Sequence, residues 1–224
     1  MYDTKIAMVL EAYSNVFSFI ASTATIPLLL SPSLICKNFI KKGFSDDVRP
    51  LIFVGGLSRC ILFLQFGIQS GLRSLIRVHS FGTLLYATYL TLYYIYCKNR
   101  VPLHKMLIKA IIFVLILLGF VNFKTDSLIT VHFGFIVTIV HLSILASPLM
   151  NVKNVIKTKS TAGMPFPLII CGTVVSVSWL LYGISIHNYT LILQMTISVI
   201  LTGTQLSLFV IYPSKLPKPV SKDE

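Results

Sequence analysis

The sequence predicts an all-α membrane protein whose seven transmembrane helices form two parallel triple-helix bundles joined by a linker helix, a 3+1+3 arrangement. Three observations predict it: an apolar composition, an internal repeat and the placement of the basic residues. Of the 224 residues, 55% are hydrophobic and 12% are charged, about half the charged fraction of an average soluble domain. Long stretches lack the polar face that a soluble helical bundle would need.

The chain contains an internal repeat with a period of 116 residues. Residues 147–212 align without a gap on residues 31–96, and 18 of these 66 positions are identical. The shared pairs include SP at 31–32 and 147–148, KN at 37–38 and 153–154, and GI at 67–68 and 183–184. One three-helix unit therefore occurs twice, and such a repeat decides the architecture.

Seven apolar runs are long enough to cross about 30 Å of hydrocarbon, which takes about 20 helical residues. They are Ile6–Leu30, Pro50–Ser70, Leu75–Tyr96, Met106–Val121, Leu128–Leu149, Phe166–Ile186 and Thr190–Tyr212. The fourth is the shortest and lies between the two repeats. The predicted units are a first triple-helix repeat at 6–96, a linker region with the fourth helix at 97–125, a second triple-helix repeat at 126–212 and a tail at 213–224.

Lysine and arginine mark one side of the membrane. Fourteen of them fall in the loops after the first, third and fifth runs and in the tail, whereas four fall on the opposite side. Basic residues concentrate in cytoplasmic loops, so the N-terminus is predicted outside and the C-terminus in the cytoplasm. The net charge of +12 follows from these loops and does not indicate a nucleic-acid partner. A three-helix unit that begins outside ends inside. The fourth helix returns the chain to the outside, so the second unit can run parallel to the first.

The motifs of the second half resemble those of a known transporter family. SP at 147–148, a basic loop ending in KTKST at 157–161, MPF at 164–166 and WLLYG at 179–183 are similar to the second half of a SWEET sugar transporter. The first half is a weaker match, because Phe63 replaces the tryptophan. The resemblance covers roughly residues 6–213 and implies parallel repeats related by an axis along the membrane normal, as in SWEET proteins.

The resemblance also implies a function. It implies facilitative, bidirectional transport of a mono- or disaccharide by alternating access, with no cofactor and no enzymatic activity. It implies residence in the plasma membrane, the Golgi membrane or both, with the lipid bilayer and a sugar as partners and with self-association into a homo-oligomer.

Two aromatic residues occupy equivalent positions in the repeats. Phe63 and Trp179 each stand four residues before a glycine of the repeat, at Gly67 and Gly183. In SWEET proteins this position faces the central cavity, so the resemblance implies that both rings stack on a sugar. Packing is the ordinary alternative for an aromatic side chain in an apolar helix.

Three polar or adaptable residues complete the predicted substrate site. His79 and Met195 are repeat equivalents at positions where SWEET-like proteins commonly carry asparagine. His79 can still donate and accept hydrogen bonds, whereas Met195 mainly fills space. Arg59 lies midway along the second run, one helical turn before Phe63, where a charge normally faces a cavity or a partner. If it faces the cavity, it favours hydroxyl-rich or anionic solutes.

Small polar residues form a stripe in the first helix of each repeat. Helical spacing puts the members of each stripe on one face, where they either pack helices closely or line a path. The stripes are Ser14, Ser18, Ser22 and Thr25 in the first repeat, and Thr130, Gly134, Thr138 and His141 in the second. His141 differs from the others because it is large and ionisable.

Four prolines mark helix ends. Pro32 and Pro148 are predicted to end the first helix of each repeat, and Pro50 and Pro165 to begin the second. The resemblance implies that such prolines act as hinges near a cytoplasmic gate, although proline in a first helical turn is also ordinary. Pro50 is displaced by one position from its repeat equivalent, because Arg49 occupies that place.

The remaining sequence features bear on other functions. The seven acidic residues lie at chain ends or in loops, and the lack of an intramembrane carboxylate favours facilitated diffusion over proton coupling, while a relay through histidine stays open. The four cysteines show no metal-binding or disulfide spacing. Two alternatives stay open: a carrier of the same fold for a non-sugar solute, favoured by residues 59, 79 and 195, and a seven-helix receptor, disfavoured by the repeat and the short outer loops.

Overall fold

The computed structural model describes residues 12–122, 127–146, 152–161 and 164–212. All regular structure within these residues is helical. The helices are α1 (Ser14–Leu30), α2 (Pro32–Lys42), α3 (Leu51–Gln69), α4 (Arg73–Tyr96), α5 (Arg100–Asn122), α6 (Ser127–Leu145), α7 (Val152–Thr158), α8 (Phe166–Ser185) and α9 (Tyr189–Ile211).

Six helical segments of the described residues are long and apolar enough to cross a membrane. They are Ser14–Lys42, which joins α1 and α2, and the spans formed by α3, α5, α6, α8 and α9. Helix α4, the predicted third span, has 24 residues but is more polar. It packs against both α1 and α3, so residues such as Ser74 and His79 are buried in protein. The predicted all-helical membrane fold is confirmed.

The helices of the two halves pack in the same order. In the first half α4 contacts both α1 and α3, and in the second half α9 contacts both α6 and α8. The third helix of each repeat therefore lies between the other two. The halves meet where α1 packs on α8 and where α3 packs on α6, while the linker helix α5 packs on α3 and α6. The cross-half contacts are equivalent under the repeat.

The structure departs from the sequence prediction in the connections. Helix α5 begins at Arg100 and has 23 residues, so it is longer than the run at Met106–Val121 suggested. The predicted loop after α1 contains helix α2, which ends at Gly43 in the left-handed conformation (φ 79°). Phe39 holds α2 in place, because its ring meets those of Phe53 and Tyr93 edge-on at 6.2 and 6.1 Å. The start of the first predicted span and the tail lie outside the described residues.

Candidate functional site

Phe63 on α3 is the centre of an aromatic cluster that joins the two halves. Its ring stacks on the imidazole of His79 from α4, with ring centroids 4.8 Å apart and an interplanar angle of 23°. The imidazole of His141 from α6 meets the same ring edge-on, at 5.4 Å and 80°. The predicted pair Phe63 and His79 is thus brought together. His141 was not among the predicted substrate residues, although the polar stripe had marked it.

The two imidazoles of this cluster carry unused polar atoms. His79 Nδ1 and His141 Nε2 are buried and have no hydrogen-bond partner among the described residues. A buried polar atom without a partner costs about 1–3 kcal/mol. In neutral imidazole one nitrogen donates and the other accepts, so each ring can still bind a hydroxyl or a carboxylate placed beside Phe63.

Trp179 on α8 makes the second contact between the halves. Its indole Nε1–H donates to Thr25 Oγ1 of α1 at 2.9 Å, and the Thr25 hydroxyl donates in turn to the carbonyl oxygen of Ala21 at 2.7 Å. The indole also meets the ring of Tyr182 edge-on at 5.7 Å. A tryptophan buried at a helix interface needs a partner for its N–H, and Thr25 supplies it from the other half.

These two cross-half contacts are equivalent under the repeat of 116 residues. Trp179 corresponds to Phe63, and Thr25 corresponds to His141. The same pair of positions therefore joins α8 to α1 and α3 to α6, but with different chemistry. The Trp179–Thr25 contact is a hydrogen bond, whereas the Phe63–His141 contact is an edge-on ring contact, and His141 Nε2 has no hydrogen-bond partner in the part of the chain that the structure describes.

Met195 on α9 lies in the same hydrophobic core as Phe63 and Trp179. The neighbouring Gln194 is 1% exposed, and its Nε2 has no hydrogen-bond partner among the described residues. Sequence reasoning missed Gln194. The sequence did indicate it, because the repeat equivalent of Gln194 is the apolar Val78. Burying a polar side chain at such a position costs free energy unless the side chain has a hydrogen-bond partner.

Arg59 lies one turn before Phe63 on α3, and its positive charge acts on Tyr86 of α4, on His79 and on His141. Tyr86 packs against α3 because Gly56 leaves room for its ring: a Cβ at Gly56 would lie 2.0 Å from Tyr86 Cε1. The helices α3 and α4 therefore approach closely three residues before Arg59.

The predicted prolines stand at helix ends. Pro32 occupies the first turn of α2, Pro50 precedes α3 and Pro165 precedes α8; Pro148 lies outside the described residues. A further proline, Pro27, lies inside α1. Proline lacks the N–H that would continue the helical hydrogen bonds, so α1 has a weak point two residues beyond Thr25 as well as at its end.

Four side chains of the predicted site are buried in this conformation. The exposed fractions are 3% for Phe63, 4% for His79, 4% for Trp179 and 5% for Met195. Arg59 and His141 are half-buried. Among the described residues, no three histidine, cysteine or acidic side chains converge as metal ligands would.

A surface recess of about 860 Å³ lies at the end of α4 and the start of α5. Asp46 organises it, because its Oδ1 accepts from the backbone N–H of Lys98 at 3.1 Å and from the Cys97 thiol at 3.4 Å. Burial raises the pKa of the Cys97 thiol, and the hydrogen bond to Asp46 and its negative charge raise that pKa further. All four cysteines are free thiols.

Comparisons with known proteins agree with this architecture. The family described as sugar efflux transporter for intercellular exchange matches twice, at residues 15–101 and 131–216. Sugar transporter SWEET1 of Drosophila pseudoobscura pseudoobscura is 29% identical over 90% of this chain and 90% of its own length. Sugar transporter SWEET1 of Dictyostelium discoideum is 26% identical over 92% of this chain and 98% of its own.

A plant relative and a solved structure extend the comparison. Bidirectional sugar transporter SWEET13 of Arabidopsis thaliana is 28% identical over 92% of this chain and 70% of its own length. A solved eukaryotic SWEET transporter superposes with a TM-score of 0.82 at 22% identity, covering 92% of this chain and all of that one. This structural likeness supports the fold.

Proposed function

Because the chain belongs to the family of sugar efflux transporters for intercellular exchange, we propose that it carries a mono- or disaccharide across a membrane. Transport is facilitative and bidirectional, and it proceeds by alternating access. Three relatives are named as sugar transporters. The observation that carries the proposal is the pair of equivalent contacts between the halves, the Trp179–Thr25 hydrogen bond and the Phe63–His141 ring contact.

The sugar binds between these two contacts. The indole of Trp179 and the ring of Phe63 stack on its apolar C–H faces, and His79 provides a hydrogen bond through Nδ1, which has no partner among the described residues. Met195 packs against the sugar rather than bonding to it. Binding sites of this kind are mostly apolar, with a few placed polar groups, and the buried centre has that composition.

Alternating access follows from the position of the contacts. Opening toward one side separates the halves, breaks the Trp179–Thr25 hydrogen bond and admits the sugar, which then replaces the lost contact. Repeats that rock about a fixed central site are a known transporter mechanism. Pro32, Pro50 and Pro165 stand where the helices of each half begin and act as hinges, together with Pro148.

The transport is not coupled to protons in this proposal. The helices of the described residues contain no aspartate or glutamate, and carboxylates within the membrane are common members of proton relays in pumps and transporters. The chain is a multi-pass membrane protein. We propose that its N-terminus lies outside and its C-terminus in the cytoplasm, and that the protein resides in the plasma membrane or the Golgi membrane as a homo-oligomer. Its units are residues 6–96, 97–125, 126–212 and 213–224.

Uptake into proteoliposomes tests the proposal. Purified full-length protein is reconstituted, and entry of radiolabelled glucose and sucrose is followed with and without a pH gradient. We expect one of the two sugars to equilibrate at a rate that the gradient does not change. Uptake that a pH gradient drives above equilibrium contradicts the facilitative mechanism, and a lack of uptake of both sugars by folded protein contradicts the function.

A carrier of the same fold for a non-sugar solute is the second candidate. Met195 and His79 favour it, because they occupy positions where the resemblance implies asparagine. Competition by nucleosides and amino acids against the labelled sugar separates the two candidates: a non-sugar that competes more strongly than any sugar supports the second.

A further inference from the structure

We propose that the preferred substrate is a hydroxylated monoanion, a sugar acid with one carboxylate, and that Arg59 binds that carboxylate. This inference rests on the proposed function and specifies the chemical class of its substrate. The evidence for the inference is the positive charge of Arg59 and the polar atoms around Phe63 that have no partner among the described residues.

The guanidinium of Arg59 has no acidic partner in the described part of the chain. The ion pair found there joins Lys42 to Asp47, at the end of α2 and outside the bundle. Arginine remains charged in proteins, and a charge at this depth faces a cavity or a partner. The neighbouring Tyr86, whose ring packs on Gly56 of the same helix, offers a hydroxyl and no carboxylate to balance the charge.

Two imidazoles pack against the Phe63 ring, one from each half. His79 is 96% buried, as its exposed fraction of 4% shows, and its Nδ1 has no hydrogen-bond partner among the described residues. His141 presents a buried Nε2 in the same condition, against the same Phe63 ring. One charged group and two neutral groups that can donate hydrogen bonds match a carboxylate and its neighbouring hydroxyls.

The repeat makes this arrangement one-sided. The equivalents of Arg59 and His79 are Val175 and Met195, so the second half has no charged group at these positions. A pyranose with a carboxylate at one end fits such a site in a single orientation, with its C–H face on Trp179. A monoanion also neutralises one guanidinium, whereas a dianionic phosphate would leave a buried negative charge, which is costly.

The test compares glucuronate with glucose in proteoliposomes of the full-length protein. We expect wild-type kcat/KM to be at least about tenfold higher for glucuronate, because one charged pair at a partly buried site contributes at least a factor of this size. Arg59→Gln is expected to lower the glucuronate-to-glucose uptake ratio at least about tenfold, and Arg59→Lys to retain part of it. The matched control is Arg73→Gln, an exposed arginine at the start of α4, which should leave the ratio unchanged.

A second measurement needs only the wild-type protein, so it stands even if an Arg59 variant fails to fold. Uniport of a monoanion moves charge. A tenfold potassium gradient directed inward, with valinomycin present, makes the lumen positive by about 59 mV and should accumulate glucuronate about tenfold. Glucose should not accumulate.

The outcomes separate this inference from the proposed function. Transport of glucose without glucuronate overturns the inference and leaves sugar transport standing. Glucuronate uptake that ignores the membrane potential, or an equal change of the uptake ratio in the Arg59 and Arg73 variants, also overturns it. If neither solute is carried, both proposals fail.

Discussion

Thr25→Val should weaken the closed state of the bundle, because it removes the acceptor for the indole N–H of Trp179. The hydrogen bond from Nε1 to Thr25 Oγ1 measures 2.9 Å and is buried. Valine has nearly the shape of threonine, so the change leaves the N–H without a partner and creates little empty space. The cost is about 1–3 kcal/mol, which shifts the balance between closed and open halves by about 5- to 150-fold.

Fluorescence measures this shift directly. Trp179 is the single tryptophan of the chain, so its emission reports on this contact alone. Thr25→Val should move the emission to longer wavelength and increase quenching by acrylamide, since the indole meets water more often. The matched control is Thr138→Val: Thr138 is a buried threonine on α6 whose hydroxyl also donates to the carbonyl four residues earlier, at 2.7 Å, and it should leave the spectrum unchanged.

Two results would refute the reasoning. The first is a folded Thr25→Val protein with the emission and quenching of the wild type. The second is an equal shift in Thr138→Val, which would mean that loss of a threonine hydroxyl loosens the bundle wherever it occurs. Either result would show that the Trp179–Thr25 hydrogen bond does not hold the two halves together.

Two further predictions concern packing and a thiol. Gly56→Ala places a Cβ 2.0 Å from the Tyr86 ring and should lower the stability of the protein in detergent by about 1–3 kcal/mol. The control is Gly55→Ala, whose Cβ meets only Leu51 at 3.7 Å and which should not lower it. Equal melting temperatures of the two variants would contradict the close packing of α3 on α4. Asp46→Asn should lower the pKa of Cys97, which burial and then Asp46 raise, so maleimide labelling of Cys97 should begin at lower pH than in wild type. Asp47→Asn is the control, and an unchanged labelling profile would show that Asp46 does not act on the thiol.

The repeat explains why so much of the fold could be predicted. Once residues 31–96 and 147–212 are aligned, the fold must place equivalent helices in equivalent contacts, and α1 on α8 repeats as α6 on α3. Helix α4 is more polar than the other spans, and it was nevertheless predicted, because residues 75–96 still form an apolar run of span length. The short helix α2 was missed because Phe39 stabilises it through tertiary contacts with Phe53 and Tyr93, which no local pattern contains.

The candidate site was only partly accessible to sequence reasoning. Helical spacing puts Arg59 and Phe63 on one face, and the repeat pairs Phe63 with Trp179. Neither pattern tells which residue of the opposite half meets them, because contacts between halves depend on helix rotation. The partners Thr25 and His141 were therefore seen only as members of a polar stripe. Tyr86 was missed for the same reason, although the glycine pair at 55–56 indicated a close approach.

The central claim is that a sugar is carried between Trp179 and Phe63, and uptake by a single pair of variants tests it most directly. Wild type, Trp179→Ala and Leu181→Ala are reconstituted at equal protein content, and initial uptake of the transported sugar is measured. Leu181 is an exposed residue of the same helix and is the matched control. The account predicts that Trp179→Ala abolishes uptake while Leu181→Ala retains it. Normal uptake by folded Trp179→Ala would contradict the claim.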